Sequence, residues 1–532
     1  MTYSLYWGDL HCHCGISYGY GSLERALRLA REHLDFCSVT GHAFWPDMET
    51  LSLLPDGRAF ETRLTASARR ASRKRLRLPT DRERYGHIID FHRRGFARLE
   101  ERWPEVLRTT ARYHEPGRFV PFLSYEWHSF EFGDHNVYFP GDEAELMTGD
   151  TLDALTRAVA PFGALVIPHH IGYGRGYRGI NWEEFDEGRS PVVEIFSGHG
   201  CSEGDGAPYP MYHVMGPRCY EGTAVHGLEL GKRFGFIAGT DHHAGYPGHY
   251  RDGRTGLYAT ELTRKTLWEA LRARRCYAVT GDRIGLRFHV DDAWMGEEVT
   301  DSGTREIRFS VSACEVIDRV EVIKNGQPMW RSLGPLRPPE LSDPVRAKVR
   351  IEYGWGDREG ICLWEGRAAL SAGRLLSVEP CFGGAPVLAP QDDMGGRHLP
   401  EDEERLTNAI TERDERSVAW VGYTRGNPAP DLPTTNSLVL EVEMPRRGKL
   451  QLEINGQHYS YLLADLLAGS QREFLRGWHF EAVLVHRAVP DAQYTMAASL
   501  DDSPTRETDY YYLRVAQDNG QWAWSSPIWV SR

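Results

Sequence analysis

The chain has 532 residues, a formal net charge of -13, 41% hydrophobic and 26% charged positions. That length supports two or three domains with ample cores, and the composition excludes a disordered or fibrous chain. The acidic balance argues against nucleic acid or an anionic membrane as partner, since both demand a broad basic face.

Nine cysteines with no CxxC pair, and an opening MTYSLYWGDLHCH without the regions of a signal peptide, point to a reducing compartment, the cytoplasm. No window approaches the roughly 20 apolar residues of a membrane span. In chain order, apolar runs at 3–10, 35–40, 119–125, 164–168, 191–196 and 234–240 read as buried strands. Helices fall between them: 22–33, with Ser22 as N-cap and Leu23, Ala26, Leu27 and Ala30 on one face, and 152–160. This alternation predicts an α/β fold, a parallel sheet or barrel whose chemistry sits at the C-terminal strand ends.

Residues 52–117 form a basic helical insertion (RRASRKRLRLPTDRER), whose charges either face water or make an anion-gathering arm over the site. A helix starting at Thr263 precedes a boundary near residue 285, giving a domain 1–285 and a β-rich antiparallel, sandwich-like domain 286–532. In the second, VEVIKNGQPMW and LQLEINGQHYS carry Asn-Gly between alternating runs, a hairpin signal. Residues 335–433, dense in Pro, Gly and charge, read as long loops. Tyr510, Tyr511, Tyr512, Trp522, Trp524 and Trp529 read as β-core rather than a carbohydrate platform.

Chemistry concentrates where the strands end. Asp9-Leu10-His11-Cys12-His13 places His11 and His13 at i and i+2, on one strand face and within reach of one metal. Cys12 and Cys14 would then face the opposite way, as buried apolar residues. Further clusters are Thr40-Gly41-His42, Glu126-Trp127-His128 with Asp134-His135, His169-His170, and Asp241-His242-His243. Five histidine-bearing strand ends in one domain point to a metal site, and a carboxylate such as Glu126 can bridge two cations. No GxSxG elbow, P-loop or Rossmann fingerprint is present, so serine-nucleophile, NTPase and dinucleotide chemistries lack support.

The ordered motifs YWGDLHCH, EWHS with HNVYF, PHH, EIFSGHGCSE, FGFIAGTDHH, ALRARRCYAVTGDRI and AWSSPIWV resemble the polymerase and histidinol phosphatase (PHP) family, in its DUF3604-like branch. The resemblance implies a distorted, TIM-like (β/α)7 barrel with two or three divalent ions (Zn, Mn or Fe) at its mouth. By that correspondence His11, His13 and Asp241 would hold the first, Glu126 would bridge it to a second held by His135 and His169, and His42 and His243 would hold a third. Two departures weaken the third site: Gly41 stands where the family carries an aspartate, and GISYGYG lacks an extra histidine that some members carry after HxH.

The implied function is a metal-dependent hydrolase using a metal-bridged hydroxide, most simply a phosphoesterase on a small organic substrate. Asp241, His243 and His199 are the candidates for proton transfer, and Arg175, Arg178 and His199 for holding an anionic substrate. Two alternatives remain open: an amide, lactone or carboxyl-ester hydrolase of amidohydrolase type, and a catalytically degenerate binding protein, for which Gly41 gives some footing. A homo-oligomer is compatible with the sequence; neither a nucleic acid nor a membrane is expected as partner.

Overall fold

The computed structural model describes residues 2–53, 81–213, 215–301, 303–334, 340–356, 360–385, 404–425, 435–477 and 480–532. Its first half is laid on eleven strands: β1 (Ser4–Asp9), β2 (Phe36–Ser38), β3 (Gly41–Phe44), β4 (Val120–Trp127), β5 (His135–Phe139), β6 (Leu165–Pro168), β7 (Val192–Ser197), β8 (Gly200–Cys201), β9 (Gly235–Ala238), β10 (Arg254–Ala259) and β11 (Cys276–Val279). Five helices lie between them: α1 (Leu23–Arg31), α2 (Asp81–Tyr113), α3 (Leu152–Val159), α4 (Ala224–Glu229) and α5 (Arg264–Arg272). Ser22 caps α1, its hydroxyl accepting from the Arg25 amide at 3.0 Å.

β1, β2 and β4 run parallel, whereas β10, β11, β5 and β6 join antiparallel, in the order β11-β10-β1-β2-β4-β5-β6. β7 and β9 pair in parallel in a separate small sheet with β8. No closed barrel forms among the described residues. β6 passes to β7 through one bond, Val166 N to Arg189 O at 3.0 Å, and β9 meets the end of β1 only through its following loop, Asp241 N to His11 O at 2.8 Å. Regular (β/α)7 closure fails because antiparallel neighbours interrupt the alternation that a parallel barrel requires. The chain is a mixed α/β, sheet-rich structure.

Helix α2 comes from the basic insertion; RRASRKRLRLPT itself lies outside the described residues. Phe91, Gly95, Leu99 and Trp103 repeat at i+4 and form its buried stripe, while Arg93, Arg94, Glu100 and Glu101 face water. The helix is therefore amphipathic, with one face packed on the protein.

Beyond residue 285 the strands are antiparallel. Both Asn-Gly pairs turn hairpins, with φ of 50° and 76° at Asn325-Gly326 and 46° and 75° at Asn455-Gly456, as an I′ turn requires. Among the described residues of 335–433 strands predominate: Val345–Trp355, Ile361–Leu370, Arg374–Cys381 and Ser417–Arg425. Buried glycines at 354, 366 and 422 and exposed Ile361 and Leu363 mask the period of two. Two of these sheets face each other over a core that includes Val349, Ile351, Trp364, Trp420 and Leu440.

The sheet of the first half continues across residue 285. Tyr277, Ala278 and Val279 of β11 pair with Ser525, Trp524 and Ala523 near the C-terminus, and the strands Thr508–Gln517 and Ile528–Ser531 extend the same sheet. Buried Asp282 fastens the seam. Both of its carboxylate oxygens accept from Arg350 Nη2 at 2.8 Å, and the group also accepts from Gln517 at 2.7 Å, Asn519 at 2.8 Å and the Tyr250 hydroxyl at 2.7 Å. Among the described residues no helix is long and apolar enough to cross a membrane.

Burial alone would raise the pKa of Asp282, but Arg350 and the hydrogen bonds outweigh it and hold the group well below the usual carboxylate value. Asp282→Ala should cost about 3–5 kcal/mol, because it leaves the Arg350 charge buried and unpaired. A carboxyl depressed in the folded state stabilises fully above its unfolded pKa of about 4, and that contribution is lost as the pH falls. Urea unfolding midpoints measured from pH 7 down to pH 3 should fall for the native chain more than for Asp282→Ala; parallel curves would contradict the assignment.

Candidate metal centre

The site is assembled by strand ends. Buried Asp9 closes β1 and accepts from the amides of His11 (3.0 Å), Thr240 (3.0 Å) and Gly248 (2.7 Å) and from the Thr240 hydroxyl (2.7 Å). It thereby ties the His11–His13 segment to the loop that carries Asp241 and His243. In β3 and β4, His42 stands opposite Glu126, and Glu126 opposite Asn136 of β5, so all three share a face. His128 follows Glu126 by two residues, His169 and His170 follow β6, and Glu194 and His199 come from β7 and the turn after it. Asp241 (φ 52°) and His170 (φ 32°) adopt left-handed backbone, which re-aims the chain where its side chains must converge.

Around Glu126, Oε2 lies 2.6 Å from His42 Nδ1 and 3.6 Å from His13 Nε2, while Oε1 lies 2.9 Å from His169 Nε2 and 3.3 Å from His128 Nδ1. Around Asp241, Oδ1 is 3.0 Å from His13 Nε2 and 3.4 Å from His11 Nε2, and Oδ2 is 3.0 Å from His199 Nε2. His42 Nε2 faces His243 Nε2 at 3.2 Å. Ligands bonded to one ion at about 2.0–2.2 Å lie about 3.0–3.5 Å from each other, which is the spacing seen here. Buried groups with ligand atoms within 4.8 Å of one another include His13, His42 and His243; Glu126, Asp134, His169 and His170; and His11, His169 and Asp241.

The donor set fits divalent cations on a second count. His170 Nδ1 and Glu194 Oε1 are buried without a hydrogen-bond partner, a cost that folded proteins avoid unless another group satisfies the atom. Carboxylates and imidazoles together suit Zn, Mn or Fe. Burial would raise the pKa of Glu126, but His128, His42 and His169 outweigh it and hold the group well below the usual range. Asp241 is likewise held low, against burial, by His11 and His199. Burial disfavours charge on His11, yet Asp241 and Glu194 pull its pKa up to about 10. The pocket thus attracts positive charge. Burial keeps His42, His169 and His243 in the neutral form that binds metal.

Of the residues singled out in the sequence, the structure brings together His11, His13, His42, Glu126, His169, His199, Asp241 and His243. His135 stands elsewhere. It pairs with Trp127 across β4 and β5, its ring 6.1 Å from that indole, on the face opposite Glu126, and its Nδ1 donates to the Gly133 carbonyl. His128 lies on the Glu126 face instead, oriented by Asp134 Oδ2 at 3.0 Å. Arg175 is half exposed and spans Glu131 and Glu183 on the surface. Arg178 is half-buried at the site wall, paired with Asp134 and stacked over Trp45 at 5.0 Å. Glu194, which orients His11 through Nδ1 at 2.9 Å, was readable only from its inward parity in β7. Cys12 and Cys14 are buried thiols, with burial raising Cys14 to about 12.

Because four imidazoles meet one carboxylate, Glu126→Ala should lower metal affinity at least about tenfold, whereas His135→Ala should leave metal content unchanged. Equilibrium dialysis with elemental analysis reads both, and equal losses in the two variants would contradict the face assignment.

Three comparisons bear on identity. An uncharacterised protein of Chlamydia pneumoniae is 33% identical over 165 residues, 28% of this chain and 27% of that protein. An uncharacterised protein of Chlamydia trachomatis serovar D is 32% identical over 164 residues, 28% of this chain and 26% of that protein. The chain spans about a quarter of the length of these relatives. Among solved structures, a two-domain protein containing predicted PHP-like metal-dependent phosphoesterase from Bacteroides vulgatus is similar over 62% of this chain and 85% of its own, at 14% identity and a TM-score of 0.30. Residues 249–310, running from the loop after Asp241 and His243 through β11 into the strand Arg305–Ser312, match the family DUF3604, described as proteins of unknown function, and the resemblance read from the motifs is to that family.

Proposed function

We propose that the chain is a metal-dependent hydrolase, and within that class a phosphoesterase acting on a small organic substrate. The observation that carries this reading is the convergence of His11, His13, His42, Glu126, His169 and Asp241, from strand ends far apart in sequence, with ligand atoms at the spacing one or two shared cations impose. Glu126 would be shared between two divalent ions, one held with His42, His128 and His169 and the other with His11, His13 and Asp241; His243 would complete a third set with His13 and His42. Such ions supply acidified water and a polarised electrophile.

The chain's own residues supply orientation and proton handling. The ionised Asp241 carboxylate only accepts, so its Oδ2 at 3.0 Å calls for a hydrogen on His199 Nε2, while the Tyr173 hydroxyl lies 3.1 Å from His199 Nδ1. His199 is therefore placed to hold a proton beside the reacting centre. His243 Nδ1 donates to the Asp241 carbonyl at 3.0 Å, which turns its Nε2 inward. Arg178 adds a fixed positive charge at the wall, with its Nε free of any hydrogen-bond partner, as an oxyanion requires. A phosphoester is favoured because paired cations can stabilise both its attacking and leaving oxygens. The near-complete burial of the centre supports a small substrate, and nine unpaired thiols support a reducing, cytoplasmic setting.

Chelation should abolish turnover of model phosphomonoesters or phosphodiesters, and Mn or Zn should restore it. Turnover of carboxyl esters or amides alone by the metal-loaded protein would replace the phosphoesterase reading with the amidohydrolase one. Arg178→Met should raise KM for an anionic substrate with metal content unchanged; an unchanged KM would remove Arg178 from substrate binding.

A further inference from the structure

His42 has neither ring nitrogen to spare. Its Nδ1 faces His128 Nε2 at 3.0 Å and Glu126 Oε2 at 2.6 Å, and its Nε2 faces His243 Nε2 at 3.2 Å. Metal-binding histidines are ordinarily aimed by a hydrogen bond from the nitrogen that does not bind. His11, His128 and His243 have such bonds, to Glu194, Asp134 and the Asp241 carbonyl. His42 cannot, because both of its nitrogens are committed to the centre.

Flat packing does this work instead. The ring of Tyr18 lies on His42 at 3.7 Å and 5°, and that of His13 at 4.0 Å and 12°. Two rings cannot share one face, so the imidazole is sandwiched between them. Tyr18 is in turn fixed from α2. His92 Nδ1 is 2.9 Å from its hydroxyl, and a Cβ at Gly95 would stand 2.2 Å from its Cδ1. Glycine inside a helix is unfavourable relative to alanine, and here it lets the helix backbone close directly over the Tyr18 ring. A second glycine completes the fit: a Cβ at Gly41 would stand 2.7 Å from Leu99 Cδ1 of the same helix. The space for a side chain beside His42 is therefore filled by α2.

We propose that Tyr18, pressed onto His42 by Gly95 and His92 of α2, is a positioning residue that sets the His42 imidazole for the ion or ions shared with Glu126, His128 and His243. The inserted helix is thus part of the centre's framework, and its stacking device does for His42 what Glu194 and Asp134 do for His11 and His128. This inference rests on the metal-dependent reading of the site.

The test uses the full chain, loaded with Mn or Co and desalted, as wild type, Tyr18→Leu, Gly95→Ala and Tyr18→Phe. Elemental analysis gives ions per chain, the visible absorption of the Co form reports ligand geometry, and thermal unfolding reports the fold. Gly95→Ala removes no metal-facing side chain and guards against a Tyr18→Leu chain that fails to fold. Tyr18→Leu and Gly95→Ala should bind the last ion about 10–100-fold more weakly and shift the Co spectrum. Tyr18→Phe, which keeps the flat face, should match wild type. Folded Tyr18→Leu and Gly95→Ala chains with wild-type stoichiometry and spectrum would overturn the positioning role and leave the metal reading standing. A wild-type chain holding no ion would overturn both.

Discussion

A carboxylate buried among imidazoles organises this molecule. An ionised Glu126 in a nearly dry interior is tolerable only if positive charge or hydrogen bonds surround it, and His42, His169 and His128 crowd its two oxygens. Each of these side chains arrives from a different strand end, so the electrostatic requirement at one point constrains the placement of β3, β4 and β6 together. Asp9 plays the complementary structural part. By gathering three amides and a hydroxyl it holds the His11–His13 segment and the Asp241 loop in one register.

The C-terminal half is wired into the same framework. Buried Arg25 of α1 donates to the carbonyls of Ala244 and Gly245, just after His243, and to the Tyr423 hydroxyl of the sandwich. Glu203, in the loop after His199, is surrounded by the Tyr512 hydroxyl, the Arg514 guanidinium and the Trp524 indole of the terminal strands. These contacts reach the backbone on both sides of the centre. The β-rich half thus buttresses the loops that carry Asp241, His243 and His199, through a sheet continuous across residue 285.

Much of the site is legible in the sequence because a strand that ends in HxH, or in Asp-His-His, declares both its parity and its chemistry. His11, His13, Glu126, His169 and Asp241 can be named on that ground. His135 marks the limit. Motif order puts it near Glu126, but pairing with Trp127 turns it to the other face, whereas His128, two residues after Glu126, shares the correct parity. Asp134 and Glu194 stand within the quoted motifs, but their role is not legible there, because orienting carboxylates have no spacing rule of their own. Antiparallel β5 and β10 fall outside a reading based on strand–helix alternation, and β6, legible as a strand at 164–168, hides its antiparallel pairing; hence a distorted barrel is expected and a mixed sheet without closure is found among the described residues. The Tyr18–His42 stack depends on a helix inserted between β3 and β4, and nothing in GISYGYG alone announces it.

The central claim is that Glu126 is shared between cations. Anomalous diffraction at the metal absorption edge, from crystals of the Mn- or Zn-loaded chain, tests it most directly. Two peaks, each about 2.0–2.2 Å from a different Glu126 oxygen, are the expected result. Peaks confined to surface histidines, with Glu126 bonded only to protonated imidazoles, would contradict it.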